Sequence, residues 1–458
     1  MASEWNEQCL ENCMDAVIDY RGKTPKKTNF GIPLVTAKII KNGRILPVSE
    51  YIAEEDYETW MRRGIPLPGD IVLTTEAPLG EVAQLDDRKI ALAQRVITLR
   101  GKKGFLDNTF LKYLLMSHEV QHQLDGRGTG TTVKGIKQSE LREVTLKFPN
   151  FVDQKAIAHV LGTLDDRIEL NRRMNETSEG MAQALFKSWF VDFDPVIDNA
   201  IASKNVIPDE FFEKGKVKRV NGKIIRPGRD DSSSPFTPNP LPFHSLFPDE
   251  FSYSDELGWI PMGWEVSCVG DEFDVTMGQS PPGTTYNETG EGVPFFQGRA
   301  DFGFRYPSNR IYCTAPKRFA KEGDSLVSVR APVGDVNMAH VDCCVGREVA
   351  AIRHKTGSGS YTYYAMHELR EHFNKFEAEG TVFGSINQKD FKALLQLKID
   401  SRLLKHFDTY AGVYDQKIEK NSLAIVTLTT LRDTLLPKLL SGELRIPDAE
   451  KMVEGLEV

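Results

Sequence analysis

The chain has 458 residues, of which 40% are hydrophobic and 27% are charged, as in a soluble globular protein. Its length exceeds what one hydrophobic core can organise and indicates two or three domains. The formal net charge of −8, taken alone, argues against a nucleic-acid binder, because phosphate neutralisation needs lysine and arginine. Basic residues can still be concentrated locally, and a partner subunit can supply phosphate contacts.

No stretch approaches about 18 consecutive apolar residues, so no membrane span is predicted. The first residues lack the basic and then apolar run of a signal peptide, and we expect a cytoplasmic protein. Six cysteines in a chain of this size do not indicate a disulfide scaffold. The close pairs Cys9 with Cys13 and Cys343 with Cys344 lack the second pair that a zinc site needs, so no metal site is predicted.

Residues 1–150 are predicted to form the first of two α+β domains. Short β-branched runs bounded by glycine or proline predict strands over 32–35, 70–74 and 95–99. Apolar residues at helical spacing predict a helix over 108–124 that is capped by Asn108. The segment that follows, up to Gly135, is a loop rich in glycine and threonine.

A long helix is predicted over residues 151–190, because apolar residues alternate at spacings of four and three from Ile157 to Trp189. The same seam recurs 250 residues later in a second helix, predicted over 401–445 and followed by a C-terminal tail, 446–458. Each seam spans roughly 37 residues, or about 55 Å at 1.5 Å per residue. Since neither seam can stay exposed, we expect the two helices to pair as an antiparallel coiled coil.

Residues 191–250 contain eight prolines and a run of three serines. This composition predicts a connector long enough for the next domain to reach the far end of the paired helices. The second domain, predicted over 251–400, follows the same order of strand runs, helix and small-residue loop as the first.

Three blocks of sequence recur in the same order in both halves of the chain, with offsets between 250 and 254 residues. In the first block, Gly69-Asp70 and 77–82 recur as Gly323-Asp324 and 331–336. In the second, Gly130-Thr131, Ile136 and Gln138 recur as Gly380-Thr381, Ile386 and Gln388. In the third, Ile168-Glu169 and Asn171 recur as Ile418-Glu419 and Asn421. The shared order predicts two related domains that are joined and separated by the two helices with pseudo-twofold symmetry. Such a molecule is suited to reading a target in two pieces.

The two helices carry asparagine at equivalent seam positions near their middles, Asn171 and Asn421. In an antiparallel pair, equivalent residues meet only near the middle. We therefore predict that these two side chains approach each other and fix the register, a known use of buried polar seam residues. The alternative is that both asparagines face solvent on a partly open seam.

No catalytic motif is found, so no catalytic residue is predicted. The sequence contains neither a phosphate-binding Gly-x-x-x-x-Gly-Lys-Ser/Thr loop, nor a Gly-x-Gly-x-x-Gly after a strand, nor His-Glu-x-x-His. Residues 239–243, Asn-Pro-Leu-Pro-Phe, are similar to the Asn-Pro-Pro-Phe motif of amino-methyltransferases. They lie in the proline-rich connector without a glycine-rich nucleotide loop, and we interpret the match as chance.

Polar loop residues in both domains are instead suited to contact with DNA. Lysine and arginine reach phosphates, and arginine, lysine and glutamine can read guanine or adenine edges in the major groove. The candidate DNA-binding residues are Arg21, Lys23, Thr24, Lys26, Lys38, Arg127, Thr131 and Lys134 in the first domain and Gln279, Ser280, Gln297, Arg299, Arg330, Thr381 and Ser385 in the second. The alternative for each is an ordinary solvated loop residue.

The chain resembles, over nearly its whole length, the specificity subunit of type I restriction–modification enzymes. The resemblance is strongest in 153–171 and 184–190 of the first helix, in Leu-Leu-Pro-Lys-Leu-Leu-Ser-Gly-Glu-Leu at 435–444, and in Leu-Gly-Trp-Ile-Pro-Met-Gly-Trp at 257–264. It implies that each domain is a target-recognition domain for one half of a split, asymmetric sequence in double-stranded DNA. The helices would act as a ruler that sets the gap between the half-sites.

The resemblance further implies that the helices dock two methyltransferase subunits and, through them, the restriction subunits. S-adenosylmethionine, ATP and Mg²⁺ would then bind to those partners, and this chain would be non-catalytic and hold no cofactor. Two other classes stay open at this point. One is a coiled-coil scaffold that binds only protein, and the other is a self-contained DNA methyltransferase or nuclease with an unrecognised site.

Overall fold

The computed structural model describes residues 5–20, 24–130, 133–220, 223–227, 244–378 and 384–455. The chain divides into two compact units. Unit 1 comprises residues 1–172 and 422–458, and unit 2 comprises residues 173–421. Each unit therefore contains one α+β domain together with about half of each long helix.

The elements of the first domain alternate between strands and short helices. The strands are β1 (Asn6–Cys9), β2 (Met14–Asp19), β3 (Ile32–Val35), β4 (Ile40–Lys41), β5 (Arg44–Ile45), β6 (Tyr51–Ile52), β7 (Ile71–Thr75), β8 (Leu79–Gln84), β9 (Ala91–Leu92), β10 (Val96–Gly101) and β11 (Thr145–Phe148). The helices are α1 (Leu10–Cys13), α2 (Tyr57–Trp60), α3 (Asn108–Met116), α4 (His118–Arg127) and α5 (Gln138–Arg142), and the long helix α6 (Phe151–Phe190) follows. The three predicted strands are confirmed.

The predicted helix over 108–124 is two helices, and its predicted cap is wrong. Asp107, not Asn108, caps α3 by accepting a hydrogen bond from the Phe110 N–H at 3.0 Å. The Asn108 side chain instead accepts from the Gly101 N–H at 2.8 Å. Ser117 ends α3 in extended conformation and caps α4, a role for which serine is well suited.

A four-stranded antiparallel sheet in the order β2-β10-β7-β8 forms the centre of the first domain. Successive residues of a strand face opposite sides of the sheet. Ile71 and Leu73 accordingly pack with α3, α4 and the long-helix segments, whereas Val72 packs with β3, β6 and β9. Because both faces are covered, all five residues of β7 are buried.

After the second half of α6, the elements of unit 2 continue in the predicted connector. The helices are α7 (Asp194–Ser203), α8 (Asp209–Glu213), α9 (Val269–Glu272), α10 (Gly359–Glu368), α11 (Arg370–Ala378) and α12 (Gln388–Lys392). The strands are β12 (Lys218–Val220), β13 (Lys223–Ile225), β14 (Phe251–Ser254), β15 (Gly258–Pro261), β16 (Glu265–Cys268), β17 (Phe273–Met277), β18 (Tyr286–Asn287), β19 (Val293–Phe296), β20 (Tyr312–Cys313), β21 (Phe319–Ala320), β22 (Ser325–Ser328), β23 (Val336–Met338), β24 (Cys343–Val345), β25 (Val349–His354) and β26 (Leu395–Lys398). Two further helices follow, α13 (Ser401–Ser441) and α14 (Ile446–Glu454).

The second domain has the topology of the first, as the repeated blocks predicted. Its central sheet has the order β17-β25-β22-β23, which corresponds element by element to β2-β10-β7-β8. The parallel pair β19 with β24 corresponds to β3 with β9, and β16 with β26 corresponds to β1 with β11. The Ala77-Pro78 and Ala331-Pro332 bonds of the repeated block are both cis.

The described part of residues 191–250, which were predicted as a proline-rich connector, contains helices that pack into the core of unit 2. Helix α7 begins after Phe193, has Pro195 in its first turn as helices favour, and buries Val196, Ile197 and Ala200 in the core of unit 2. Phe211 and Phe247 are buried in the same core. Proline content alone could not reveal these apolar contacts. Residues 228–243, which include the serine run and the Asn-Pro-Leu-Pro-Phe motif, lie outside the described residues.

The two long helices contain 40 and 41 residues, and the first has the predicted ends. In unit 1, Ile157, Leu161, Leu164 and Ile168 of α6 share a core with Leu428, Leu435 and Leu439 of α13. In unit 2, the Phe186 and Phe407 rings are 5.8 Å apart, and Arg305 bridges Glu179 to Asp415. These contacts show that the two segments in unit 2 run antiparallel.

The predicted C-terminal tail is in part a helix, α14, which buries Ala449 and Val453 in the core of unit 1. Among the seam asparagines, Asn421 is buried in unit 2. Asn171 belongs to unit 1, where its amide donates to the Arg167 carbonyl of its own helix at 3.0 Å. Their mutual approach stays a prediction. In the part of the chain that the structure describes, no helix is both long and apolar enough to cross a membrane.

A buried histidine in α10 predicts pH-dependent stability. The His367 Nε2 atom is buried and forms no hydrogen bond with a described residue, and its ring centroid is 4.6 Å from that of Tyr363. Burial, with a smaller contribution from Arg305 and Arg370, lowers the pKa of His367 to about 4. The unfolded chain therefore binds a proton below pH 6.5 that the folded chain accepts only near pH 4.

We expect the His367 contribution to the unfolding free energy to fall by about 3 kcal/mol between pH 6.5 and pH 4. Denaturation at several pH values should show a flatter profile for His367→Phe than for the unchanged chain in this range. His122→Phe, at an exposed position of α4, is the matched control and should keep the original profile. Parallel profiles for His367→Phe and the unchanged chain would contradict the prediction.

Candidate nucleic-acid interface

In unit 2, backbone hydrogen bonds join five loop segments, 278–280, 296–299, 329–330, 345–349 and 384–386, into one continuous surface. The joining bonds are Gly278 N to Val349 O (3.0 Å), Gln279 N to Val345 O (3.0 Å), Gly346 N to Phe296 O (2.9 Å), Val329 N to Glu348 O (2.9 Å) and Ile386 N to Val329 O (3.1 Å). We call this surface the loop face of unit 2. It contains every described candidate of the second domain.

The candidate side chains on the loop face of unit 2 are accessible. Gln279, Gln297, Arg299, Arg330 and Ser385 are exposed. Ser280 is half-buried, and its hydroxyl accepts a hydrogen bond from the Arg347 N–H at 3.3 Å. An isolated β-bridge places Arg330 beside Ser385. Thr381 lies outside the described residues.

Gly278 is required where two loops of this face meet. A Cβ atom at this position would lie 2.1 Å from the Gly346 carbonyl oxygen and 2.6 Å from that of Val349. Both are backbone atoms that a side-chain rotation cannot move aside. Glycine thus permits the close approach that brings Gln279 and Ser280 against Arg347.

Two charged residues of the loop face, Arg347 and Glu348, were not predicted from the sequence. Arg347 is exposed and has no ion-pair partner among the described residues, and Glu348 accepts the bond from Val329 through its carbonyl group. Strand β25 begins directly after them. Arg347 lies beside Ser280 because β17 pairs with β25, and Glu348 lies beside Val329 because β22 pairs with β25. Periodicity alone predicts neither pairing.

Arg299 is held in place by an acidic residue of the repeated block. Its guanidinium is 2.7 Å from the Asp335 carboxylate, which also binds Arg370 at 3.2 Å. The Asp335 N–H donates to the Ser328 hydroxyl at 2.9 Å. Arg299 is therefore oriented and partly neutralised, whereas Arg330 has no ion-pair partner within the described residues.

The first domain builds an equivalent loop face, with three backbone hydrogen bonds that correspond to those of unit 2. The Ala93 N–H donates to Val35 O, the Thr75 N–H to Arg95 O and the Ile136 N–H to Thr75 O, each at 2.9 Å. These bonds bring together residues 35–38, 75–76, 93–95 and 133–137. Lys38 lies here, exposed on a 3-10 helix (Ala37–Ile39). Arg21, Lys23 and Thr131 lie outside the described residues.

The remaining candidates of the first domain fall into two groups. Lys134 pairs with Asp125 at 2.6 Å and Arg127 with Glu140 at 3.6 Å, so both are partly neutralised. Thr24 and Lys26 instead line a separate cleft of about 460 Å³, together with Trp60, Arg62 and Arg63. The structure therefore does not bring all the candidates of this domain into one cleft.

The two loop faces carry opposite charges at equivalent positions. Glu76 and Arg330 each precede the cis Ala-Pro bond and each bridge the small-residue loop, at Gly135 and Ser385 respectively. Arg95 and Glu348 are equivalent because their backbone carbonyls accept equivalent hydrogen bonds, from the N–H groups of Thr75 and Val329 respectively. Glu76 and Arg95 are 3.7 Å apart. The two domains thus use one scaffold to present different chemistry.

Two domains of one topology, each with a polar loop face and each followed by a long helix, define a duplicated recognition protein. A family model described as the type I restriction modification DNA specificity domain matches residues 3–178 and 261–399. The chain belongs to this family, which confirms the resemblance found in the sequence.

Known relatives agree with this assignment. The chain is 26% identical over 450 residues to the type I restriction enzyme MjaIX specificity subunit of Methanocaldococcus jannaschii, covering 93% of this chain and 91% of that protein. It is 26% identical over 361 residues to the HindI specificity subunit of Haemophilus influenzae, covering 73% of this chain and 77% of that protein. In fold it is similar to the type I restriction-modification S subunit from M. genitalium, with a TM-score of 0.52, 15% identity, and coverage of 95% and 96%.

Proposed function

We propose that the chain is the non-catalytic DNA specificity subunit of a type I restriction–modification complex. Each domain contacts one half of a bipartite, asymmetric target through its loop face. The observation that carries the proposal is that equivalent positions of the two domains have opposite charges. Glu76 of the first domain corresponds to Arg330 of the second, and Arg95 corresponds to Glu348. Two faces with one backbone and different side chains are suited to reading two different half-sites.

The chemistry of the exposed residues assigns them different contacts. Arginine donates two hydrogen bonds to guanine O6 and N7, and glutamine pairs with adenine N6 and N7. Arg330, Gln279 and Gln297 are accordingly assigned to base edges of the second half-site. Lys38 and Lys26 are assigned to phosphates, which position the protein without reading sequence.

Partner subunits complete the activity in this proposal. Two methyltransferase subunits bind S-adenosylmethionine and dock on the helices, and restriction subunits supply the ATP- and Mg²⁺-dependent step. Several apolar helix residues are available for docking, because Leu170, Met181, Val413 and Val426 are each more than half exposed. Methyltransferase subunits that also contact the DNA would reconcile phosphate binding with the net charge of −8.

Footprinting of the reconstituted complex on DNA tests the proposal. We expect two protected patches separated by a gap, and methylation only when the methyltransferase subunits are present. No protected patch would favour the protein scaffold. Turnover of DNA by the purified chain alone, with S-adenosylmethionine or Mg²⁺, would favour a self-contained enzyme.

Arg330→Ala should weaken binding to the target by about 1–3 kcal/mol and relax the base preference at one base pair of the second half-site. The reason is the loss of a bidentate contact to a base edge, and the same result is expected for Arg299→Ala. Binding to a set of single-base-pair variants of the target measures the effect. The control Arg402→Ala removes an exposed arginine that pairs with Asp400 and should change no position. An equal loss at all sequences would instead identify a phosphate contact.

A further inference from the structure

The two long helices carry the same pair of carboxylates, four residues apart. The pairs are Asp165 with Glu169 in α6 and Asp415 with Glu419 in α13, at an offset of 250 residues. Side chains four residues apart lie on one face of a helix. In each unit, both members of the pair contact basic residues of the domain in the same unit: Asp165 and Glu169 bind Lys112 and Arg44, and Asp415 and Glu419 contact Arg305 and His340.

In unit 1, Asp165 is the centre of a half-buried charge cluster. Its carboxylate is 2.5 Å from Lys112 Nζ and 2.7 Å from the Arg432 guanidinium, and it accepts a hydrogen bond from the Tyr113 hydroxyl at 2.7 Å. Burial opposes ionisation of Asp165, but Lys112 and Arg432 lower its pKa overall. Glu169 binds Arg44 at 3.4 Å. Lys112 and Tyr113 belong to α3, so the cluster links the domain to both helix segments.

In unit 2, the equivalent cluster is built around Arg305, whose side chain is 0% exposed. Its guanidinium is 3.1 Å from Asp415 on α13 and forms a second ion pair with Glu179 on α6. It also donates to the Tyr364 hydroxyl at 2.6 Å and lies 3.8 Å above the ring centroid of Tyr363. Four polar or aromatic groups thus hold one cation.

The two clusters have equivalent acceptors but different cations. Tyr364 donates to Asp415 at 3.1 Å, as Tyr113 does to Asp165. Lys112, however, comes from helix α3, whereas Arg305 comes from the loop before β20. The Arg305 carbonyl accepts from the Met338 N–H of β23 at 2.8 Å, which fastens the loop to the domain sheet. Each domain therefore reaches the same helix position with its own side chain.

Charge-assisted hydrogen bonds restrict geometry more than apolar packing does. Apolar burial is non-directional, so a hydrophobic domain–helix contact alone tolerates small rotations. Ion pairs and hydrogen bonds require particular distances and angles, and a buried cation that loses its partners is unstable. The clusters are thus suited to hold one orientation of each domain on its helix segments.

We propose that the Arg305–Asp415–Glu179 cluster and the Lys112–Asp165–Arg432 cluster orient the domains, and thereby restrict the gap between half-sites to one length. The inference rests on the proposed function. One base pair more or less in the gap changes the separation by about 3.4 Å and the rotation by about a tenth of a helical turn. A loosened domain can follow such a change, and a fixed domain cannot.

The test uses the full chain in complex with methyltransferase subunits, carrying Glu179→Gln and Asp415→Asn. The DNA is a library with both half-sites held constant and a gap of randomised length. We expect the preference for the best gap over its neighbours to fall about tenfold, since misplacements near 1 Å cost up to about 100-fold in activity. The sequences of the two half-sites should stay unchanged. Asp165→Asn is a second variant that should give the same result through unit 1.

Phe211→Ala is the matched control, because it removes a buried ring from the core of unit 2 without touching the cluster. It should lower stability and keep the gap preference. An unchanged gap preference in both charge variants would overturn the inference, as would an equal loss of preference in the control. Failure of the unchanged complex to methylate any bipartite site would instead overturn the proposed function, so the two failures are distinguishable.

Discussion

Arg305→Ala is expected to lower the unfolding free energy of unit 2 by about 3–5 kcal/mol. The variant leaves the carboxylates of Glu179 and Asp415 close together and half-buried without the cation that both bind. Denaturation measures the loss, and hydrogen exchange in α10, which carries Tyr363 and Tyr364, assigns it to this unit. The control Arg402→Ala removes an exposed ion pair and should cost no more than about 1 kcal/mol.

A compensated variant separates charge burial from lost packing. Arg305→Met combined with Glu179→Gln and Asp415→Asn removes all three charges while keeping most of the volume. We expect this variant to recover most of the lost stability, because replacing a complete buried ion cluster costs far less than removing one member. A loss below about 1 kcal/mol for Arg305→Ala would contradict the importance of the cluster, and a triple variant as unstable as Arg305→Ala would identify packing as the cause.

Inserting one heptad into each long helix, after Arg172 and after Asn421, is expected to lengthen the tolerated gap by about 3 base pairs. Seven residues add about 10.5 Å to a helix, and base pairs rise by about 3.4 Å. A heptad keeps the apolar seam on the same face. Methylation at the original gap should fall by roughly 100-fold, while each half-site sequence stays the same.

The methylation pattern of a gap-randomised library checks this prediction in the reconstituted complex. Seven residues inserted at Gly104, in an open turn of the first domain, provide the control and should leave the gap unchanged. If the double helix insertion also keeps the original gap, the helices do not set the distance between half-sites. Insertion into one helix alone breaks the pairing of equivalent seam residues and should lower stability.

Local patterns predicted the elements that local forces build. The β-branched run at 32–35 became β3 with the same bounds, and the alternating seam predicted α6 from Phe151 to Phe190. These predictions succeed because the apolar periodicity of a segment reflects which of its faces is buried. Loops between predicted strands are usually accessible, and the candidates Gln279, Gln297, Arg299, Arg330 and Ser385 are exposed as expected. Their contact with DNA stays a prediction.

Predictions that depended on distant partners were less successful. Asn108 was predicted as a helix cap, but its side chain accepts a hydrogen bond from the Gly101 N–H, and the cap is its neighbour Asp107. Residues 191–250 were predicted as a connector, but apolar contacts with other segments of unit 2 turn its first part into a packed helix. Arg347 was missed because only the pairing of β17 with β25 places it beside Ser280.

The amino-acid sequence by itself determined the duplication, the two long helices and the family, since repeats and periodicity are properties of the chain order. Only the tertiary structure decided which loops meet on one face, and that Arg305 reaches Asp415 across 110 residues of sequence. The physical reason is that a buried ion cluster is stabilised by groups from separate segments. The sequence of any one segment therefore does not indicate which residues of the other segments it will contact.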